Sequence, residues 1–157
     1  MVRDANIAIE VEPADVPDSE WCLAQYYAEL AKRFDDGFDP SIKNKFDPGE
    51  MEPPNGWFVV ARLDGKPVAC GAVMRLEGAI CEVKRLWVSS DARGFGLGTK
   101  IMNRLEELAK SAGFTSVKLD TNGALDEAKG LYLKLGYTET ERYNDNPYAD
   151  HFFEKAL

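Results

Sequence analysis

The sequence has little of what several large classes of protein require. Its 157 residues include one histidine and three cysteines, Cys22, Cys70 and Cys81, whose spacing fits no metal site. No run of about eighteen apolar residues is present, so we expect no membrane-spanning helix. Residues 1–13 carry acidic side chains early and lack the apolar core of a signal peptide. These absences predict a cytoplasmic protein with free, mostly buried thiols and no metal.

Basic residues are also in the minority. The chain has 19 lysines and arginines against 27 aspartates and glutamates, which gives a net charge of −8. This charge argues against binding to nucleic acid or to an anionic membrane surface, and it permits a cationic partner. Solubility is the alternative explanation of the same charge. The chain shows no repeat, low-complexity tract or linker, which predicts a single domain over residues 1–157.

Hydrophobic periodicity predicts a chain of short strands with three helices. A strand over residues 7–11 precedes a helix over residues 17–34. One face of that helix carries an apolar stripe of Trp21, Ala24, Tyr27, Leu30, Ala31 and Phe34. Residues 35–56 are irregular and acidic, and so long a loop in a compact domain is usually functional or mobile. The elements predicted next are strands 57–62, 67–76 and 80–88 in an antiparallel meander, a helix 99–112, a strand 116–120, a helix 125–135, and strands 137–143 and 151–157.

A glycine-rich loop lies between the strand 80–88 and the helix 99–112. Residues 93–98 read Arg-Gly-Phe-Gly-Leu-Gly. The first N–H groups of a helix have no partner within it, and glycines let a phosphate approach the backbone closely. Lys100 lies in the first turn, where a cation opposes the helix dipole unless an anion binds there. The loop therefore predicts an anion site, with a glycine-rich turn beside a solvated lysine as the alternative.

Two common nucleotide-binding loops do not fit these residues. The third glycine of a dinucleotide fingerprint would fall on Thr99, and residues 89–93 separate the loop from its strand. A Walker loop requires Gly-Lys followed by Ser or Thr, whereas Gly98-Thr99-Lys100 has the reverse order. We therefore reject a dinucleotide-binding loop and a Walker loop for these residues.

The motifs resemble those of the GNAT superfamily of acyl-CoA-dependent N-acetyltransferases. That family's pyrophosphate motif is similar to Arg93-Gly94-Phe95-Gly96-Leu97-Gly98 following Leu86-Trp87-Val88. A second pattern of the family resembles Asp120-Thr121-Asn122, Ala128, Leu131-Tyr132 and Gly136-Tyr137. The tail resembles a bacterial subgroup with the motif Tyr143-Asn144-Asp145-Asn146-Pro147-Tyr148. The resemblance implies an α/β fold with a mixed, mostly antiparallel central sheet flanked by helices on both faces. It also implies transfer of an acetyl group from acetyl-CoA to a primary amine of a small molecule or peptide.

The resemblance also implies which residues bind the co-substrate. The N–H groups of residues 93–99 would bind the pyrophosphate of coenzyme A, and the backbone of residues 86–88 would pair with the pantetheine amides as an added strand. That backbone could also polarise the thioester carbonyl. Asn122 would hydrogen-bond the pantetheine, and a simple turn at Asn122-Gly123 is the alternative. The full expected set is Leu86, Trp87, Val88, Arg93, Gly94, Phe95, Gly96, Leu97, Gly98, Thr99, Asn122 and Lys129.

Two catalytic roles follow from the same resemblance. Tyr132 would be the general acid that protonates the leaving thiolate; a core tyrosine on the apolar stripe of its helix is the alternative. Glu82 would be the general base for the ammonium; an exposed strand glutamate paired with Lys84 is the alternative. His151 begins a terminal strand, and we expect a structural role for it. With no cysteine set up as a nucleophile, direct attack in a ternary complex is expected.

The acceptor site is expected between the loop 35–56 and the loop 144–150. Tyr143, Asn144, Asn146 and Tyr148 are candidates for its walls. The acidic side chains of the loop 35–56 favour a small or flexible cationic acceptor, and a homodimer is compatible with the sequence. Two other functions stay open: a catalytically weak acyl-CoA-binding sensor, and an interaction domain on the same scaffold.

Overall fold

The computed structural model describes residues 6–33, 48–92, 94–121, 126–147 and 149–157. In those ranges the chain forms seven strands, three α-helices and two short 3-10 turns at Pro48–Met51 and Ser90–Ala92. The strands are β1 (Ile7–Val11), β2 (Gly56–Leu63), β3 (Lys66–Glu77), β4 (Ile80–Val88), β5 (Ser116–Thr121), β6 (Thr138–Thr140) and β7 (His151–Ala156). The helices are α1 (Pro17–Arg33), α2 (Leu97–Ser111) and α3 (Asp126–Lys134).

The strands make one sheet in the order β1-β2-β3-β4-β5-β7-β6. Every neighbouring pair is antiparallel except β4 and β5, which run parallel. The predicted hairpin turn is confirmed at Asp64 and Gly65, whose φ angles of 51° and 87° match a tight turn between twisted strands. The mixed, mostly antiparallel sheet agrees with the expected fold class.

Helices cover both faces of the sheet, and each face has its own apolar core. On one face, Cys22 of α1 packs in a cluster with Phe58 and Val60 of β2. On the other face, α2 packs with Val59 and Ala61 as well as residues of β5 and β7. Successive residues of β2 point to opposite faces, and burial on both sides explains why this strand is a continuous apolar run.

The apolar stripe expected for α1 is only partly confirmed: Leu30 is buried and Tyr27 packs against the core, and Phe34 lies outside the described residues. Trp21 is 46% exposed and Ala24 is also exposed, whereas Cys22 and Leu23 are buried. Three contacts fix the rotation of the helix, and each joins it to a strand. They are Arg62 Nη2 to Asp18 Oδ2 at 2.9 Å, Arg85 Nε to the Tyr27 hydroxyl at 3.3 Å, and Trp87 Nε1 to Glu29 Oε2 at 3.1 Å. Apolar residues occur on several sides of α1, so these contacts decide which side faces the sheet.

Two other element boundaries differ from expectation. α2 begins at Leu97 rather than at residue 99, because Gly96 precedes it with a φ of 67° in the left-handed region. The strand expected over residues 137–143 shortens to β6, which pairs only with β7 at the edge of the sheet. Gly113 and Gly136 follow α2 and α3 with positive φ angles, as their predicted role as helix terminators requires.

Candidate active site

A V-shaped gap opens where β4 and β5 separate. The two strands pair at only three positions, Ile80 with Ser116, Cys81 with Val117, and Glu82 with Lys118. On its other side, β4 stays paired with β3 as far as Val88. The β5-facing backbone of β4 beyond Glu82 is therefore a strand edge within the sheet, and such an edge can accept an extended ligand.

A β-bulge bends this edge at Arg85. Cys70 pairs with Trp87 and Ala72 pairs with Lys84, so β4 has one more residue than β3 between these positions. Arg85 has a φ of 58°, which is unusual for a residue with a side chain. Its carbonyl accepts the Cys70 thiol at 3.4 Å, and its side chain donates to Tyr27. The bulge re-aims Leu86, Trp87 and Val88, the three residues expected to pair with pantetheine.

The glycine loop meets the same edge at the start of α2. Gly94 and Gly96 have φ angles of 93° and 67°, and a Cβ added at either position would meet nothing within 4 Å. The first hydrogen bond inside the helix joins the Lys100 N–H to the Gly96 carbonyl at 3.0 Å. The N–H groups of Leu97, Gly98 and Thr99 precede that bond and are the helix-start donors that an anion can use.

A cavity of about 470 Å³ joins the loop to the strand edge. Eight of the twelve residues expected to bind the co-substrate line it: Leu86, Trp87, Val88, Gly94, Gly96, Leu97, Gly98 and Thr99. Phe95 packs against the core instead, and the neighbours Ala128 and Leu131 line the cavity where Lys129 was expected. Arg93 and Asn122 lie outside the described residues, so their expected roles stay predictions.

The opposite wall of the cavity comes from α1, which the sequence reasoning missed. Tyr26, Glu29 and Leu30 line it. Burial raises the pKa of Tyr26, and its ring packs edge-on against Tyr27 at 5.2 Å. Cys22, Leu23 and Tyr26 join Leu30 of the expected stripe on the inward face of α1, and their spacing is also typical of one face of a helix.

Glu82 is buried in the angle of the V, with 4% of its surface exposed. Its Oε2 accepts the Tyr143 hydroxyl at 2.6 Å and the Asn144 side-chain amide at 3.3 Å, and Lys84 Nζ lies 3.5 Å away. The Asn144 amide also donates to Asp120 Oδ2 at 2.6 Å. The expected alternative, an exposed glutamate, is excluded by the burial, although the contact with Lys84 is present.

The other expected wall residues divide into two groups. Tyr143 and Asn144 contact Glu82, whereas Asn146 is buried and binds back to Asn144 through its backbone N–H at 3.0 Å. Tyr148 lies outside the described residues, as does most of the acidic loop, residues 34–47. The structure thus brings part of the expected acceptor wall to the proposed base.

Tyr132 lies in the core beside the site. It is 6% exposed, and its ring packs against Tyr137 and Phe153 at centroid distances of 5.9 and 6.0 Å. Burial, and then the charge of Asp120, raise its pKa, so the phenol keeps its proton at neutral pH. Both expectations for this residue, a core tyrosine and a proton donor, are compatible with that environment.

The remaining chemical groups do not form a second centre in the part of the chain that the structure describes. His151 Nδ1 lies 2.9 Å from Glu139 Oε2, in a surface contact between β7 and β6. The three cysteines are free and buried. No group of three or more metal-ligating side chains occurs among the described residues, and none of the described helices is long and apolar enough to cross a bilayer.

Comparison with known proteins shows which family the chain resembles. Residues 19–137 match the model of the acetyltransferase (GNAT) family. An uncharacterized N-acetyltransferase of Schizosaccharomyces pombe is 31% identical over 156 residues, which is 94% of this chain and 92% of that protein. A protein of Azospirillum brasilense named IAA acetyltransferase is 31% identical over 140 residues, 86% of this chain and 90% of its own.

Solved structures share the fold at lower sequence identity. A putative acyl-CoA N-acyltransferase of Klebsiella pneumoniae has a TM-score of 0.78 at 23% identity, with 96% of this chain and 97% of that chain covered. A putative acetyltransferase of Salmonella typhimurium, solved with its cofactor acetyl-CoA, has a TM-score of 0.69 at 18% identity. That likeness covers 97% of this chain and 94% of the other.

Proposed function

The chain belongs to the acetyltransferase (GNAT) family and is an acyltransferase, and from that premise we propose that it transfers an acetyl group from acetyl-CoA to a primary amine. The observation that carries the proposal is the cavity at which the glycine loop at the start of α2 meets the free edge of β4. The buried carboxylate of Glu82 lies outside the lining of that cavity, on the same strand, at the last position where β4 pairs with β5. Together they offer an anion site, a site for an extended amide chain, and a proton acceptor.

The residues present fit coenzyme A. Gly94 and Gly96 leave open space where side chains would stand, next to the helix-start N–H groups of residues 97–99. These donors suit a pyrophosphate, and Lys100 in the first turn adds positive charge. At Gly98 an added Cβ would come within 3.1 Å of Leu131, so glycine there also lets α3 approach the loop. When bound, acetyl-CoA supplies the activated thioester that the acceptor attacks.

The edge of β4 would hold the pantetheine arm. Residues 86–88 line the cavity and lie past the last position where β4 pairs with β5. They can pair with amides as a neighbouring strand does, and an N–H among them can polarise the thioester carbonyl. Asn122, which follows β5 in the sequence, is proposed to hydrogen-bond the same arm.

Glu82 is proposed as the general base. Attack requires a neutral amine, and Glu82 is a buried carboxylate in the angle between β4 and β5. It would accept a proton from the acceptor ammonium, directly or through one water.

Tyr132 is proposed as the general acid. Its raised pKa keeps the phenol protonated through the neutral range, and a protonated phenol can donate to the departing sulfur. Direct attack in a ternary complex is favoured over a covalent enzyme intermediate, because all three cysteines are buried and none of them lines the cavity.

The acceptor is proposed to be a small or flexible cationic amine. The support is the acidity of residues 35–52 in the sequence, of which Glu50 and Glu52 are described and exposed. Nearer to Glu82 the charges are mixed, since the carboxylate of Asp120 and the lysines Lys84 and Lys118 lie beside it. Long-range attraction would therefore come from the loop, and selection would come from the hydrogen-bonding groups beside Glu82.

An amine panel tests the proposal. Release of free thiol from acetyl-CoA would be followed with spermidine, Nα-acetyl-lysine, neamine and an amine-free control. Thiol release that depends on the amine, with a KM for the amine that rises with salt, supports a cationic acceptor. Salt has this effect because it screens exposed charges beyond about 8–10 Å at moderate ionic strength. Acetyl-CoA binding without turnover of any amine would favour the sensor, and a protein partner that binds without coenzyme A would favour the interaction domain.

A further inference from the structure

We propose that Tyr143 is a positioning residue for Glu82, that Arg142 holds it in place, and that Asn144 joins Glu82 to Asp120. The inference deepens the proposed function and rests on Glu82 being the general base. The motif in the tail of the chain, residues 143–148, then has a chemical purpose, because it supplies the hydrogen bonds that orient the base rather than a wall for the acceptor alone.

The geometry at Glu82 is the first support. Tyr143 donates to Oε2 at 2.6 Å, the distance of a strong hydrogen bond to a carboxylate. Asn144 and Lys84 reach the same oxygen at 3.3 and 3.5 Å. Because these donors all hold Oε2, they limit rotation of the carboxyl group. Oε1 is then the oxygen that accepts the proton from the acceptor. Without Tyr143, the carboxylate could rotate away from the acceptor.

The second support is the way residues 141–150 are held. This segment has no helix or strand among its described residues, yet its backbone is tied to one side chain. The Arg142 guanidinium donates to the carbonyls of Asn144 and Asn146, both at 3.3 Å, and to the carbonyl of Ala149 at 2.9 Å. It also lies over the Phe152 ring at 4.7 Å. We call residues 141–150 the strap; its far end is joined to β5 by the Asp150 N–H and the Thr121 carbonyl at 3.1 Å.

The third support is the charge around the Tyr143 hydroxyl. Burial, then the charge of Glu82 and the hydrogen bond to it, raise the pKa of Tyr143, so the phenol remains a donor at neutral pH. Lys118 Nζ lies 5.3 Å from the centre of its ring, and the Phe152 ring packs edge-on at 5.4 Å. The charged groups beside Glu82 are Lys84 on its own strand and Lys118 and Asp120 on β5, and the strap adds the neutral phenol of Tyr143.

Tyr143→Phe tests this because it removes the O–H and keeps the ring contacts. Loss of a hydrogen bond to a charged group predicts a fall in kcat of about tenfold. The KM for acetyl-CoA should not change. The acceptor is whichever of spermidine, Nα-acetyl-lysine and neamine is turned over fastest, or water in slow thioester hydrolysis if none is.

Tyr137→Phe is the matched control. The Tyr137 hydroxyl donates to Glu106 Oε2 at 2.8 Å, so the same kind of bond is lost from the other core of the molecule. Both variants should lose thermal stability, but only Tyr143→Phe should lower kcat about tenfold. If both variants lower kcat equally, the effect comes from loosened packing and the proposal is overturned.

A double-mutant cycle separates the inference from the function on which it rests. In a Glu82→Gln background, Tyr143→Phe should add less than about twofold, because residues that act through one another are not additive. Effects that multiply would show that Tyr143 acts on the acceptor independently, against the proposal. If Glu82→Gln lowers activity and Tyr143→Phe does not, the positioning role fails and the base assignment stands. If Glu82→Gln itself has no effect, both fail.

Discussion

The candidate active site, which we call the cleft, has two halves that are built from different parts of the chain. The half beside α2 uses backbone groups, namely the N–H groups after the glycine loop and the free edge of β4. The half beside the strap uses side chains, namely the bonds of Tyr143 and Asn144 to Glu82 and Asp120. Residues that are adjacent in sequence build the first half, whereas those bonds join residues 61, 62 and 24 positions apart.

This difference predicts that each half can be disabled separately. A backbone site suits a ligand that does not vary, because N–H groups are present whatever the side chains are. A side-chain site can change by single substitutions, as an acceptor site must if one fold is to serve many substrates. Variants in the glycine loop should therefore abolish binding of acetyl-CoA, and variants around Glu82 should alter turnover while binding persists.

The largest effect is expected from Gly96→Trp. Acetyl-CoA at about 100 times its Kd should stabilise the wild-type protein by roughly 2.7 kcal/mol. For a chain of this size, that corresponds to a rise of about 5–10 °C in Tm. The variant should lose this rise completely, because the indole would occupy the open space beside the helix-start donors.

Gly113→Trp is the control for that variant. Gly113 lies at the other end of α2, also has a positive φ, and likewise has nothing within 4 Å of an added Cβ. It should have the same backbone strain yet keep the rise in Tm with acetyl-CoA, as differential scanning fluorimetry would show. A rise that persists in Gly96→Trp would remove the glycine loop from the binding site.

Tyr132→Phe should give the next largest effect, this time without loss of binding. General acid catalysis contributes on the order of 10²–10⁴-fold, so turnover should fall within that range while the acetyl-CoA rise in Tm is kept. The ring contacts with Tyr137 and Phe153 remain in the variant. Single-turnover thiol release is the appropriate measurement, and a loss of less than about threefold would make Tyr132 a core residue only.

Glu82→Gln should have a smaller effect that depends on pH. Near neutral pH the loss should be about 10²-fold, the lower end of the range for a general base. At high pH part of the activity should return, because more of the acceptor amine is already neutral without help from the enzyme. The acidic limb of the pH–rate profile should disappear. A variant profile parallel to that of the wild type would transfer the base role to water or to another group.

The contrast between the halves also explains what the sequence could predict. The glycine loop, the hairpin at Asp64-Gly65 and the caps at Gly113 and Gly136 were foreseen because a positive φ is a local requirement that glycine meets at low cost. The placement of Glu82 and Tyr132 came from motif resemblance. The bulge at Arg85 was missed, because an arginine in the left-handed region gives no local signal.

Long-range contacts account for the other misses. Tyr26 and Glu29 were not expected in the site, because the face that α1 turns to the sheet depends on bonds to Arg62, Arg85 and Trp87. Residues 141–143, at the start of the strap, were predicted to be part of a strand. An alternating pattern does not reveal that Arg142 binds three carbonyls of its own segment. Local rules predict elements, whereas the meeting of distant side chains needs the folded chain.

Arg142→Lys should have the smallest effect and gives the sharpest comparison of the two halves. The lysine keeps the positive charge but lacks the planar fork that reaches the carbonyls of Asn144, Asn146 and Ala149. The strap should loosen, and Tyr143 should spend less time bonded to Glu82, so kcat should fall by about three- to tenfold if one or two hydrogen bonds are weakened.

The rise in Tm with acetyl-CoA should equal that of the wild type, because the glycine loop and the β4 edge share no hydrogen bond with Arg142 among those that the described residues make. In a Tyr143→Phe background, Arg142→Lys should have little further effect on kcat, since the bond through which it acts is already absent. A lost or reduced acetyl-CoA response in Arg142→Lys would show instead that the two halves of the cleft are coupled, and that the division between a backbone site and a side-chain site is wrong.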